Sequence, residues 1–92
     1  MKYYFYVLRS KHDGRYYKGQ TEDIEARLRR HNRGDSKSTK AGRPWELVYV
    51  EEYSSRAEAI HRERLLKSAS GWKEWESLRS KIEKKCNFNS EC

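Results

Sequence analysis

A single carboxylate, Glu63, falls in the middle of an apolar helical stripe, four residues after Ala59, three after Ile60 and three before Leu66. An ionised carboxylate on a buried face costs on the order of several kcal/mol unless it is paired or holds a metal. An ion pair with an arginine at the core edge satisfies that condition, and so does a divalent cation. Periodicity alone favours the ion pair, or a helix rotated so that the carboxylate is exposed, over the metal. Arg27 and His31 stand four apart, so they share one side of a helix. Arginine's planar fork suits a phosphate, and a neighbouring histidine can donate a hydrogen bond or accept a proton. Arg29, Arg30 and Arg33 crowd the same segment, so a solvated basic helix also accounts for the pair. Tyr3, Tyr4, Tyr6, Tyr16 and Tyr17 place five of the seven tyrosines near the start of the chain. Each offers a π-face, a weak acid and a hydrogen-bonding tip. Strand alternation turns about half of them inward as core. Gly19 either makes a strand-to-helix turn or lets the backbone approach a ligand. Taken as a set, hydroxyls, glycine, arginine, histidine and a buried-face glutamate can hold water, phosphate and one divalent metal.

The elements that must position these groups are legible. Tyr3–Leu8 and Arg15–Gly19 are β-prone runs around Asp13-Gly14, a tight hairpin signal. Thr21-Glu22-Asp23 opens a helix from about Ile24 to Asn32 or Arg33, and Gly34 stops it. Asp35–Gly42 is polar and aperiodic and reads as a loop. Trp45–Tyr53 alternates as a third strand, with Trp45, Leu47, Tyr49 and Tyr53 on one face. Ser55 and Glu58 form a capping box for a helix reaching about Ser68. Ser70 is expected to cap a third helix on which Trp72, Trp75, Leu78 and Ile82 recur. The order is β-β-α-β-α-α.

The chain has 92 residues, of which 35% are hydrophobic and 38% charged, so one domain with a thin core is expected. That domain spans 1–83, and 84–92 reads as a polar, disordered tail. Net charge is +7, which points to a polyanion, nucleic acid before membrane. Residues 1–34 hold nine basic against four acidic residues, so the charge gathers where the tyrosines are. No apolar run approaches membrane-spanning length and no signal peptide pattern opens the chain. Cys86 and Cys92 fit neither a zinc nor a redox spacing, so reduced thiols in the cytoplasm are expected.

These residues together resemble the GIY-YIG nuclease domain. Tyr4-Phe5-Tyr6 stands at the Gly-Ile-Tyr motif, and Tyr17-Lys18-Gly19 at Tyr-Ile-Gly. Arg27 stands at the catalytic arginine, His31-Asn32 at a pair found in several branches, and Glu63 at the metal-binding glutamate. Five short motifs in order, over about residues 3 to 68, make the resemblance specific. It is nearest to the small stand-alone bacterial members, with Pro44–Tyr49 at their third strand. The chain departs from the pattern at Tyr4, which replaces a glycine, at Lys18, which replaces an apolar residue, and at Gln20, where some members carry a lysine.

The resemblance implies an α+β fold, with a three-stranded antiparallel sheet flanked by helices. It implies Mg²⁺- or Mn²⁺-dependent endonuclease cleavage of DNA, duplex or branched, with a place in DNA repair or recombination. One ion at Glu63 and no small-molecule cofactor are expected. Such an ion keeps most of its waters, takes a phosphate oxygen and activates water. Arg27 would neutralise charge growing on the phosphate. Tyr17 would take a proton from water, while Tyr6 holds the nucleophile or orients Tyr17. His31 completes the catalytic set. Lys18, Arg30, Arg33, Lys37 and Lys40 are expected to contact the nucleic-acid backbone. The rival expectation is a non-catalytic nucleic-acid-binding module, and a third is an adaptor using the Trp72/Trp75 helix.

Overall fold

Ser10 turns the chain. Its N–H donates to the Arg15 carbonyl at 2.8 Å, and its carbonyl accepts from the Gly14 N–H at 3.0 Å. Its hydroxyl oxygen accepts from the N–H groups of His12 and Asp13. Gly14 sits at φ +80°, which glycine adopts without steric cost. The turn is therefore wider than a two-residue Asp13-Gly14 turn. The pairing it imposes sets Tyr6 opposite Gly19 and Leu8 opposite Tyr17, between strands β1 (Tyr3–Ser10) and β2 (Tyr16–Thr21). Strand β3 (Trp45–Tyr53) pairs with the other edge of β1, giving an antiparallel sheet in the order β2-β1-β3. As the central strand, β1 buries Phe5, Tyr6, Val7 and Leu8 almost completely.

The computed structural model describes residues 1–35 and 37–89. Between β2 and β3 lie α1 (Ile24–Arg33) and a single helical turn, α2 (Lys37–Lys40), within the segment expected to be a loop. After β3 come α3 (Arg56–Lys67), a 3₁₀ turn (Ala69–Gly71) and α4 (Trp72–Asn89). With the short α2 set aside, the order is β-β-α-β-α-α in an α+β fold.

The expected caps hold α1 and α3. Asp23 Oδ1 accepts from the Ala26 N–H, and Gly34 closes α1 at φ +84° with its N–H on the Arg30 and His31 carbonyls. Ser55 accepts from the Glu58 N–H and donates to the Glu58 carboxylate. The turn into α4 differs from expectation. Ser68, not Ser70, accepts from the Gly71 N–H, because the residue that ends α3 also starts the 3₁₀ turn. Helix α4 runs through Asn89, past the boundary expected at residue 83; no Gly or Pro interrupts the sequence there. The end of the expected tail, 90–92 with Cys92, lies outside the described residues.

Helices cover both faces of the sheet. On one face Tyr6, Leu8 and Trp45 pack with Tyr17 and with Ile24 and Leu28 of α1. On the other, Phe5 and Val7 pack with Leu66 of α3 and Leu78 and Ile82 of α4. The expected single face for Trp45, Leu47, Tyr49 and Tyr53 is not observed. Val7 pairs with Tyr49 and Leu8 with Leu47, so Val48 is an extra residue. A bulge of one residue reverses the inward and outward parity of the strand beyond it. Trp45 therefore joins the α1 side, Tyr49 and Tyr53 join the α3 side, and Leu47 is exposed. On the α3 side the Tyr49 and Tyr53 hydroxyls both donate to Glu51, which also receives Arg62 at 3.0 Å.

Candidate active site

The polar chemistry gathers where β1, β2 and α1 meet. Tyr6 points toward α1, and its hydroxyl lies 3.1 Å from His31 Nε2. Nδ1 of the same ring lies 2.8 Å from the Thr39 hydroxyl oxygen. Tyr6, His31 and Thr39 are each at most 2% exposed. Such a buried polar chain is favourable only if each donor finds an acceptor. With the Tyr6 hydroxyl donating to Nε2 and Nδ1–H donating to Thr39, both ring nitrogens are paired. Burial, with Tyr17 beside it, pushes the Tyr6 phenol well above its ordinary range. Burial, with Arg27 and Arg30 nearby, pushes His31 below its ordinary value. Tyr6 thus holds its proton, and His31 is neutral near pH 7.

Gly19 makes this contact possible. A Cβ there would lie 2.6 Å from the Tyr6 hydroxyl and 2.7 Å from its ring carbon. The bare backbone of β2 admits the Tyr6 side chain, so the close approach expected at Gly19 is to a protein group and not to a ligand. Tyr17, two residues before, stacks its ring 4.8 Å from the His31 ring and 6.3 Å from that of Tyr6. It is half-buried, and its hydroxyl forms no hydrogen bond among the described residues.

Arg27 and Glu63 approach this cluster from different helices. Arg27 is half-buried on α1 and lines a cavity of about 200 Å³ with Gln20, Thr21, Arg30 and Arg56. Glu63 is the polar member of the α3 stripe, between buried Ala59 and Leu66. Its side chain is 21% exposed, and its Oε2 accepts from Lys67 at 2.7 Å. The ion pair is with a lysine one turn along the helix, not with an arginine at the core edge.

Among the described residues no three His, Cys, Asp or Glu side chains cluster to cage a metal. Glu63 offers one partly exposed carboxylate held by a flexible lysine, a donor compatible with a hard divalent cation that keeps most of its own waters and not with a structural zinc.

The residues expected to meet nucleic acid separate into two groups. Arg30, Lys37 and Lys40 are exposed. Arg33 is also exposed, but Asp35 takes its guanidinium at 2.7 and 3.1 Å. Lys18 points to the opposite face. It donates to the Leu66 carbonyl at 3.2 Å and sits 4.0 Å over the Trp75 ring. Burial, with Lys67 near it, lowers its pKa. Its charge ties β2 to α3 and α4.

Thr39 and Asn32 are the residues that sequence reasoning missed in these roles. Asn32 brackets the first residue of β3: Oδ1 accepts from the Trp45 N–H at 2.6 Å, and Nδ2 donates to the Trp45 carbonyl at 3.1 Å. The Trp45 indole N–H donates to the Thr39 carbonyl at 2.7 Å. The one available signal was the polar pair His31-Asn32 at the end of α1, whose two side chains turn out to anchor α2 and β3.

The family model of the GIY-YIG catalytic domain matches residues 2–76. Among relatives, a UPF0213 protein of Staphylococcus saprophyticus is 43% identical over 70 residues, covering 75% of this chain and 84% of its own length. Another UPF0213 protein, from Staphylococcus haemolyticus, is 44% identical over 70 residues with the same coverage. The solution NMR structure of a UPF0213 protein from Bacillus halodurans is 33% identical, covers 85% of each chain and superposes with a TM-score of 0.49.

Proposed function

The chain belongs to the GIY-YIG family, and on that premise we propose that it is a divalent-metal-dependent endonuclease that hydrolyses DNA phosphodiester bonds. GIY-YIG membership implies a nuclease family and a nucleic-acid substrate. The proposed substrate is duplex or branched DNA, cleaved in repair or recombination in the cytoplasm. The observation that carries it is the packing of Tyr6, Tyr17 and His31 against one another, with Arg27 one turn before His31 on α1 and Glu63 linked to the Tyr17 ring through Lys67.

Each residue has a distinct task in this reading. Arg27 faces the phosphate and offsets the charge that grows on its oxygens. The Tyr17 hydroxyl has no partner among the described residues, so it would accept a hydrogen bond from the attacking water and, once its own phenolic proton has passed to solvent, take the proton that the water loses. Tyr6 is sealed and proton-bearing, so it fixes His31 and leaves Tyr17 as the exchanging group. Neutral His31 packs on the Tyr17 ring and orients it. Glu63 holds one Mg²⁺ or Mn²⁺. When bound, that ion supplies positive charge at the phosphate and lowers the pKa of water. Arg30, which lines the same cavity as Arg27, and Lys37 and Lys40 of α2 meet the backbone without reading sequence.

One observation favours the second reading, a non-catalytic nucleic-acid-binding module. Glu63 is satisfied by Lys67 within the protein, so its place in the apolar stripe does not by itself require a metal. A screen of duplex, flapped, branched and single-stranded DNA, with Mn²⁺ or with chelator, separates the two. The nuclease cuts at least one substrate only with the metal. Binding without cutting across the whole panel supports the module.

A further inference from the structure

Lys67 occupies the place where the two halves of the site meet. Its ammonium donates to Glu63 Oε2 at 2.7 Å, and it lies 5.5 Å from the centre of the Tyr17 ring. It thus touches the carboxylate of α3 and borders the tyrosine of β2. Lys18 cannot take over either contact, because the Leu66 carbonyl and the Trp75 ring hold it.

We propose that Lys67 is an exchangeable counter-ion: it neutralises Glu63 in the metal-free protein, yields that carboxylate to a divalent cation, and then binds a phosphate oxygen beside Tyr17. The proposal rests on the nuclease reading and adds a residue to it. A partly exposed glutamate–lysine pair one helical turn apart is weak, worth roughly fivefold at most in an equilibrium. A divalent ion has twice the charge and brings its own water ligands, so it displaces the ammonium readily. The lysine's flexible four-carbon stem lets the freed group stay within reach of the site. Lys67 already borders the Tyr17 ring, so the freed ammonium needs to move little to stay beside it. A negative phosphate there replaces the charge partner that Lys67 gives up. In the resting protein the same pair hides a carboxylate that would otherwise repel DNA.

Calorimetric titration of Mn²⁺ into the full chain tests the first half, and single-turnover cleavage at saturating Mn²⁺ tests the second. Lys67→Met is expected to bind Mn²⁺ more tightly than the parent, by up to about fivefold, and to cleave at least about tenfold more slowly. Lys67→Arg keeps the charge and is expected to restore the parental Mn²⁺ affinity. Unchanged or weaker Mn²⁺ binding in Lys67→Met overturns the counter-ion role, and an unchanged rate overturns the phosphate role. Glu63→Gln separates this from the premise. If that variant binds Mn²⁺ like the parent, the metal assignment fails whatever Lys67 does. If it loses Mn²⁺ binding while Lys67→Met behaves as the parent in both assays, only the Lys67 proposal fails.

Discussion

The hydroxyl of Tyr6 on the central strand lies 3.1 Å from Nε2 of His31 on α1, and both side chains are 2% exposed. Each is the other's polar partner inside the protein. Burial lowers the His31 pKa in the folded state below its ordinary value near 6.5. In the unfolded chain the imidazole takes a proton first as pH falls. The unfolded state then binds more protons, so folding stability drops as pH falls below about 6.5, down to the depressed folded value. Urea unfolding midpoints at pH 7.5, 6.5 and 5.5 are expected to decline in the parent. The part of that decline owed to His31 disappears in His31→Gln.

The two catalytic-set tyrosines should respond oppositely to loss of their hydroxyls. Tyr6→Phe leaves His31 Nε2 buried and unpaired, at a cost of about 1–3 kcal/mol of stability. Tyr17→Phe removes a hydroxyl with no partner among the described residues, so stability is expected to change by less than about 0.5 kcal/mol. Its cleavage rate is expected to fall about 10²–10⁴-fold with DNA affinity nearly unchanged. Arg27→Ala should show the same split. Denaturant melts beside single-turnover kinetics check both, and equal losses of binding and rate would support the module.

Asn32 ties the end of α1 to the start of β3 through both polar atoms of its amide. Asn32→Ala removes both bonds and strands the Trp45 N–H and carbonyl, at a cost of about 2–3 kcal/mol. Loss of packing at Trp45 should show in its fluorescence. A melting curve that matches the parent would mean that water replaces the amide at no cost.

DNA affinity is expected to fall with salt at a log–log slope of about −0.9 per phosphate neutralised on duplex. Replacing Arg30, Arg33 and Lys40 with Ala should flatten that slope and weaken binding about equally for unrelated sequences. Asp35 already pairs with Arg33, so Arg33→Ala alone should change the slope less than Arg30→Ala alone. A slope unchanged in the triple variant would place DNA elsewhere, for instance along α4 with Lys73, Arg79 and Lys81.

Local signals carried the fold. Asp23, Gly34 and the Ser55–Glu58 box act within one helical turn of where they stand, so their effect is readable from spacing. The bulge at Val48 is not local. It arises where β3 pairs with β1, and it moves Tyr49 and Tyr53 to the face opposite Trp45. Tyr6, Tyr17, Arg27, His31 and Glu63 stand out in the sequence because the family motifs mark them in order, and the fold brings Tyr6, Tyr17 and His31 into contact. Thr39 was not, since its role depends on burial against a histidine eight residues back. Lys18 shows the same limit: its type and charge suggested phosphate, whereas strand parity turns it toward Trp75.

In this proposal Glu63 supports metal-dependent cleavage and is more than a member of an ion pair. Single-turnover cleavage of the best substrate, with Mn²⁺ and with chelator, compares the parent with Glu63→Gln. The parent is expected to cleave only with Mn²⁺, and the variant not detectably. The variant is also expected to stay folded, because a partly exposed pair with Lys67 contributes about 1 kcal/mol or less. Mn²⁺-dependent cleavage by Glu63→Gln at the parental rate would rule out the role given to Glu63.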